Sequence, residues 1–282
     1  MTSEVAIPDV KAEAGKDNLK SVRELIAERP DVDVTDLFER MRALEEALWE
    51  KLTRRLTLEM DASTVGLQPY ASLDGSARGS LAGYSGREVD WAVKTWIGNP
   101  SRSFCNLHIT VWLGPATRTP HLAIAMGAFP VTFFLLDYIP RVDVRLEPDY
   151  LDRYLGPVNE RFLELQKDQR LMPFISQSLF VRAAVSPVGL NFISQPGVEG
   201  VLELLEKLAH EHVDRWLSWL DEAAPVPEAE RAQLAANDLA IRRNVAELDP
   251  ANVVVEKLYG KELTDRLVRG LWGGDRLTPR PV

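Results

Sequence analysis

Two stretches of this chain carry residues whose type and spacing suit proton chemistry. In FCNLHITVWLG, residues 104–114, strand alternation puts Asn106, His108 and Thr110 on one face and Cys105, Leu107 and Ile109 on the other. A polar row on an otherwise apolar strand suggests a lined cavity. An imidazole there can pass protons; the plainer alternative is a core histidine whose ring is satisfied by its neighbours. In ANDLAIRRN, residues 236–244, Asn237 and Asp238 stand together and Arg242 follows Asp238 by four. On a helix that spacing reads first as a solvated ion pair. Burial would change it, because a desolvated carboxyl has its pKa moved toward neutrality, where it can donate a proton. Arg102, Arg141, Arg182 and Arg243 are candidates for binding a carboxylate ligand, since a guanidinium fork makes two parallel hydrogen bonds to it. Each alone also reads as a surface ion pair. His210, Glu211 and His212 lack the four-residue histidine spacing that puts two rings on one helical face, so no metal is expected there.

Elements must position these groups. Residues 35–56 place Leu37, Met41, Leu44, Leu48 and Leu52 at steps of three and four, an amphipathic helix that needs a flat partner; a shorter helix is expected over 18–28. GSLAGYSG, VDWAVKTWIG, FCNLHITVWLG, HLAIAMGAF and VTFFLLDYI then read as five strands in succession, short, β-branched or aromatic and punctuated by Gly and Pro. No helix-length segment separates them, which excludes parallel crossovers and predicts a mainly antiparallel meander. Two of the strands are apolar on both faces, so helices should cover both sides. Short helical segments are expected near 147–169, an extended return through SLFVRAAVSPVGLNFIS, and helices near 198–221, 227–247 and 253–271, with Pro225, Pro227 and Pro250 as interruptions. The fold class is thus an α/β/α sandwich with a central, mainly antiparallel sheet. Residues 1–282 are read as one domain, with 1–17 as a flexible tail. Trp216 and Trp219 are assigned to the core.

Composition narrows the function. The 282 residues are 45% hydrophobic and 27% charged, in the globular range, and the net charge of −9 argues against nucleic acid as a partner. Cys105 is the single cysteine, so neither an internal disulfide nor a cysteine zinc site is available. The start carries no signal or transit pattern and no run approaches a membrane span, which predicts a cytoplasmic protein without membrane association. There is no GxGxxG, phosphate loop or HExxH.

Three segments in order resemble one superfamily. LEPDYLDRYL followed by PFISQSLFVRAAVSP is similar to the red chlorophyll catabolite reductases, and NDLAIRRNVAELDP with VEKLYGKELTDRLVRGLW resembles the carboxy-terminal helices that these enzymes share with the ferredoxin-dependent bilin reductases. The resemblance spans roughly residues 80–272. It implies an open-chain tetrapyrrole, such as a bilin or a chlorophyll catabolite, bound between the sheet and the last helices. It further implies no tightly bound cofactor, reduced ferredoxin as an external electron donor and partner, and room for a homodimer. In that light Asp238 and His108 become the proton donors, and Asn106, Asn237, Arg102 and Arg182 the substrate-binding residues, with the arginines on the pigment's propionates. The chain also departs from the pattern. The family places an acid on the strand occupied here by HLAIAMGAFP, where Ala123 or Ala125 stands instead. Asp137, on the next strand, is read as structural. A different conjugated substrate, or a binding protein without catalysis, are the alternatives this leaves open.

Overall fold

The computed structural model describes residues 32–102, 104–129, 131–195 and 197–273. The expected tail and the helix at 18–28 lie outside the described residues.

The five expected strands form as one meander. β3 (Arg78–Gly86), β4 (Val89–Asn99), β5 (Phe104–Leu113), β6 (His121–Ala128) and β7 (Thr132–Ile139) pair antiparallel in chain order. Two short strands, β1 (Leu58–Met60) and β2 (Tyr70–Ala71), flank β3, and β8 (Met172–Pro173) and β9 (Leu190–Ser194) extend the sheet beyond β7. Hydrogen-bonded register carries the alternation of each strand across the whole sheet. His108 pairs with Thr95 on one side and Ala125 on the other, Ala125 with Leu135, and Leu135 with Asn191.

The two faces differ sharply. Cys105, Leu107, Ile109, Ile124, Met126, Phe134 and Leu136 are fully buried beneath α1 (Thr35–Arg55) and α4 (Val201–Asp221). The expected stripe on α1 is the cause, with Met41, Leu44, Leu48 and Leu52 all in this core. Each such side chain stabilises the fold by roughly 1.5–3 kcal/mol. α4 contributes Trp216 and Trp219 to the same core. Ion pairs Lys51–Asp214 (2.8 Å) and Arg40–Glu203 (2.9 Å) run along the seam between the two helices.

Among the described residues the opposite face is covered only at its ends. At one end α5 (Glu228–Glu247), α6 (Asn252–Tyr259) and α7 (Lys261–Trp272) bring Ile241, Val255 and Leu267 onto Leu81, Trp91 and Trp112, and the Trp91 indole donates to Gly270 O (2.9 Å). At the other end Phe104, Phe129, Phe174 and Ile193 gather with Leu258. Between these clusters lies a strip of half-buried residues.

Two local expectations are corrected. The stretch read as extended from Ser178 opens instead with a short helix, α3 (Leu179–Ala184), because the Ser178 hydroxyl accepts from Val181 N and caps it; only Leu190–Ser194 returns as a strand. The single helix expected over 253–271 is two, since Gly260 takes φ +79° between α6 and α7, a conformation that ends a helix. The segment near 147–169 is helical through Pro148–Tyr150, a π turn at Leu151–Leu155, and α2 (Gly156–Leu165).

Glu45 on α1 is the cost within this core. It is fully buried, its Oε1 has no partner, and burial pushes its carboxyl up to about 8 against the attraction of Arg42 and Lys94. A carboxyl with a raised folded pKa weakens the fold progressively as pH climbs from its ordinary 4.5 to 8, because the unfolded chain ionises first. Glu45→Gln is therefore expected to raise the melting temperature by several degrees at pH 8 and change it little near pH 4.5. Thermal melts across that range check this; equal effects at both ends would contradict it.

Candidate active site

The half-buried strip runs across the centre of the open face. β5 supplies Asn106, His108 and Thr110, β4 supplies Thr95, β7 supplies Phe133 and Leu135, and β9 supplies Asn191, all part-exposed. On β6 the same face carries Ala123, Ala125 and Gly127 beside the strip, with His121 at the start of the strand, so the middle of the strip is low. Three strand spacings separate His108 from Asn191, roughly 14 Å. At the β9 edge the strip meets a cavity of about 590 Å³ bounded by α2, α3 and the Val185–Gly189 turn, lined by Phe162, Phe174, Val185, Arg182, Ser186 and Asn191.

Two polar atoms on this face are stranded. Asn106 Oδ1 and Asn191 Oδ1 are buried without a hydrogen-bond partner among the described residues. The Asn191 amide nitrogen donates to Phe174 O (3.0 Å), which fixes the amide so that its oxygen turns away from that bond. A buried acceptor left unpaired costs about 1–3 kcal/mol, so both positions favour a ligand that brings N–H or O–H donors.

His108 lies opposite Ala125, and burial alone lowers its pKa to about 4, so its ring is neutral at ordinary pH. Asp238 does not meet it. α5 holds Asp238 over the start of β6, where the imidazole of His121 lies 3.0 Å away. Leu113 N donates to His121 Nδ1 (3.0 Å), so the ring proton sits on Nε2 and is donated to Asp238 Oδ1. His121 occupies the same face as Ala125 but four residues earlier on β6, which sets it roughly 13 Å along the strand from His108. Arg141, with a completely buried side chain, grips the other side of Asp238 through Nη2 and Nε and also donates to Thr117 O and Gly114 O. Burial pushes the Asp238 carboxyl up, but the His121 hydrogen bond and the Arg141 guanidinium outweigh it, and its pKa falls below the ordinary value. The site therefore holds Asp238 as a carboxylate beside a neutral His121, whose own pKa burial and Arg141 lower to about 4.

Other expected residues fall as follows. Asp238 and Arg242 do not pair along the helix; Arg242 instead binds Asp90 on β4 (2.7 Å), so both side chains fasten α5 to the sheet. Asn237 is turned outward, one step round the helix from Asp238, and its oxygen accepts from Gln233 (2.8 Å). Arg182 borders the cavity, its guanidinium donating to Ser176 O (2.7 Å) and Gln177 O (3.0 Å). Arg102 sits in an exposed 3-10 turn before β5. Arg141 faces the Asp238 cluster and Arg243 pairs with Glu247 (2.8 Å), which removes both from the carboxylate-binding candidates. His212 is buried and stacked on Tyr138, and no cluster of metal-binding groups occurs among the described residues.

His121, Asn191 and Ser186 were not singled out in the sequence. For His121 a signal existed: it opens HLAIAMGAF with the same parity as the two alanines that vacate the strip. For Asn191 and Ser186 none did, since their place depends on how the α3 turn folds back.

Comparison with known proteins agrees with this architecture. The family model for red chlorophyll catabolite reductase matches residues 40–272. The red chlorophyll catabolite reductase of Hordeum vulgare is 28% identical over 170 residues, 55% of this chain and 82% of the barley protein. The chloroplastic enzyme of Arabidopsis thaliana is 27% identical over 217 residues, covering 70% of this chain and 68% of its own. Among solved structures, tomato phytochromobilin synthase in complex with biliverdin superposes with a TM-score of 0.68 over 84% of each chain at 17% identity, a shared fold. No described helix is long and apolar enough to cross a membrane.

Three histidines that the fold holds neutral set an acid limit on stability. His108, His121 and His212 are held neutral in the fold, with pKa values near 4, 4 and 3, while the unfolded chain protonates them below about 6.5. A depressed folded pKa means that stability is full above 6.5 and is lost as pH falls toward 4. His108→Asn is expected to reduce the slope of unfolding free energy against pH in that window by one proton, read by denaturant titrations at several pH values. An unchanged slope would show that His108 is protonated in the fold.

Proposed function

This chain belongs to the red chlorophyll catabolite reductase family, and from that premise we propose that it reduces an open-chain tetrapyrrole lying on the polar strip between the sheet and the carboxy-terminal helices. One observation carries the reading beyond kinship. A sheet packed solid on one face keeps two buried amide oxygens without donors on the other, and the pyrrole and lactam N–H groups of such a pigment are the donors they lack. Red chlorophyll catabolite is the compound named for the barley and Arabidopsis relatives, and biliverdin is the ligand named for the tomato structure.

In this reading electrons come singly from reduced ferredoxin, while the protein orients the pigment and supplies protons. Asn106 and Asn191 accept from ring nitrogens. Arg182 at the cavity and Arg102 at the open rim bind the propionates through charge-assisted hydrogen bonds. Asp238 starts as a carboxylate and His108 as a neutral ring. Each electron that reaches the pigment adds negative charge nearby, which raises the pKa of both groups; they then take up a proton and pass it on. Asn237, facing outward, has no part in this.

The alanines on β6 favour a second reading, in which the same site works on a different conjugated substrate, because a proton is missing from the place where the family keeps an acid.

Biliverdin added to the protein without oxygen should show a shifted absorption band that bleaches when reduced ferredoxin is supplied. Asp238→Asn should slow the bleaching about 100-fold while the pigment still binds. Spectra that stay unchanged with biliverdin and with open-chain chlorophyll catabolites would remove the proposal.

A further inference from the structure

The vacated acid position on β6 has a carboxylate beside it. Ala123 pairs in register with Asp137 on β7, and Asp137 lies on the same face as His108, His121 and the strip. The Val185–Gly189 turn folds over it. Ser186 N donates to Asp137 Oδ2 (2.9 Å), the Ser186 hydroxyl to Oδ1 (2.5 Å), and Tyr138 N to Oδ1 (2.9 Å). Ser186 in turn lines the cavity. A buried carboxyl thus stands one hydroxyl away from the space where the ligand would lie.

Resting on the tetrapyrrole reading above, we propose that Asp137 is a stored acid that delivers a proton to the bound pigment through the Ser186 hydroxyl. The step balances as follows. One double bond of the pigment takes two electrons, one at a time, from the iron–sulfur donor, and two protons. For one of these the Ser186 O–H bond breaks as a bond to hydrogen forms on the pigment. With Asp137 protonated on Oδ1 the 2.5 Å contact runs the other way, Oδ1–H donating to Ser186 Oγ, and this O–H breaks in concert and restores the Ser186 hydroxyl. The Asp137 carboxylate left behind is reprotonated from solvent between turnovers.

The surroundings suit a stored proton. Among the described residues no cation pairs with Asp137, in contrast to Asp238, which Arg141 holds ionised. From α4, the ring of His212 stacks on Tyr138 and meets Asp137 at its main-chain carbonyl, to which Nε2 donates (3.1 Å), and it is neutral down to about 3. From β6 the neighbour is Ala123, and from the turn Gly189 and Ser186. Arg182 is the charged group on the same cavity wall, bound to carbonyls of its own loop. Burial pushes the Asp137 carboxyl up, and only neutral hydrogen bonds oppose this. A structural carboxylate that merely caps the turn needs the Ser186 main-chain N–H; the hydroxyl of this cavity-lining residue is what a relay needs in addition. Ser186 is the catalytic residue of the pair, and Asp137 acts through it.

The test uses Ser186→Ala, which keeps the main-chain bond to Asp137, together with Asp137→Asn and Asp137→Glu in the full chain with biliverdin bound. Infrared difference spectra in H2O and D2O should contain a protonated carboxyl band that is present in the wild type, absent in Asp137→Asn and shifted in Ser186→Ala. With reduced ferredoxin, Ser186→Ala and Asp137→Asn should slow decay of the one-electron pigment radical about 100-fold at similar biliverdin affinity. The wild-type rate should fall as pH rises through the Asp137 pKa, that dependence should vanish in both variants, and Asp137→Glu should restore part of it. Wild-type radical decay in Ser186→Ala, or a carboxyl band that survives Asp137→Asn, would overturn the relay. If the wild type binds no biliverdin, the tetrapyrrole reading fails first, and the band in ligand-free protein still decides whether Asp137 stores a proton.

Discussion

A guanidinium with none of its side chain in water must be neutralised where it stands, and Arg141 is that group. Leaving such a charge unpaired costs about 3–5 kcal/mol, so the Arg141–Asp238 contact ties α5 to the sheet more firmly than the few apolar side chains that α5 offers. Arg242 on Asp90, one turn further along, makes a second tie. The loops between β5 and β6 and between α4 and α5 are drawn into the same knot: Val226 N donates to Ala116 O, and the Trp216 indole donates to Pro120 O from the opposite layer. The roof over the polar strip is therefore hung from charges at one end. It need not rest on the strip itself, which is how a sheet face can stay half open beneath three helices.

That arrangement separates two kinds of carboxyl. Asp238 is held by a cation and an imidazole donor, and so sits as an anion; Asp137 is held by neutral donors and sits in a dry wall. An ionised acid is a good acceptor and a poor donor until something negative arrives, whereas an uncharged acid can give its proton at once. The proposed reduction, in which electrons arrive singly, would have use for both, since a pigment is least negative at the first transfer and gains basicity with each one.

The sheet was legible in the sequence because its signal is local. Alternation, Gly and Pro punctuation and the lack of intervening helices predict β3 to β7 and their antiparallel pairing, and the parity of Asn106, His108 and Thr110 puts them on the open face. Where two local preferences compete, the sequence is ambiguous. LFVRAA is as apolar and β-branched as a strand, and only the Ser178 cap decides for a helix turn; a run from 253 to 271 has a helical period, and only the backbone freedom of Gly260 divides it. What no local pattern contains is the partner of Asp238. His121 is 117 positions away and Arg141 is 97, and both are reached only once the meander has closed and the roof has docked.

The position of His121 bears on why β6 can dispense with an acid. A carboxyl in place of Ala123 would stand directly beside Asp137 across the strand pair and two residues along β6 from His121, the partner of the anionic Asp238, in a wall with little solvent to screen them. Two neighbouring carboxyls cannot both ionise cheaply, and the proton they share would be held more tightly than a relay can tolerate. At Ala125 the neighbour across the strand is His108, whose neutral ring would be drawn into an ion pair and protonated. Small residues at both places keep the ring neutral and leave the Asp137 proton uncommitted. The empty acid position and the buried one form a single design, with the carboxyl moved one strand outward and the space it vacates given to the proposed ligand.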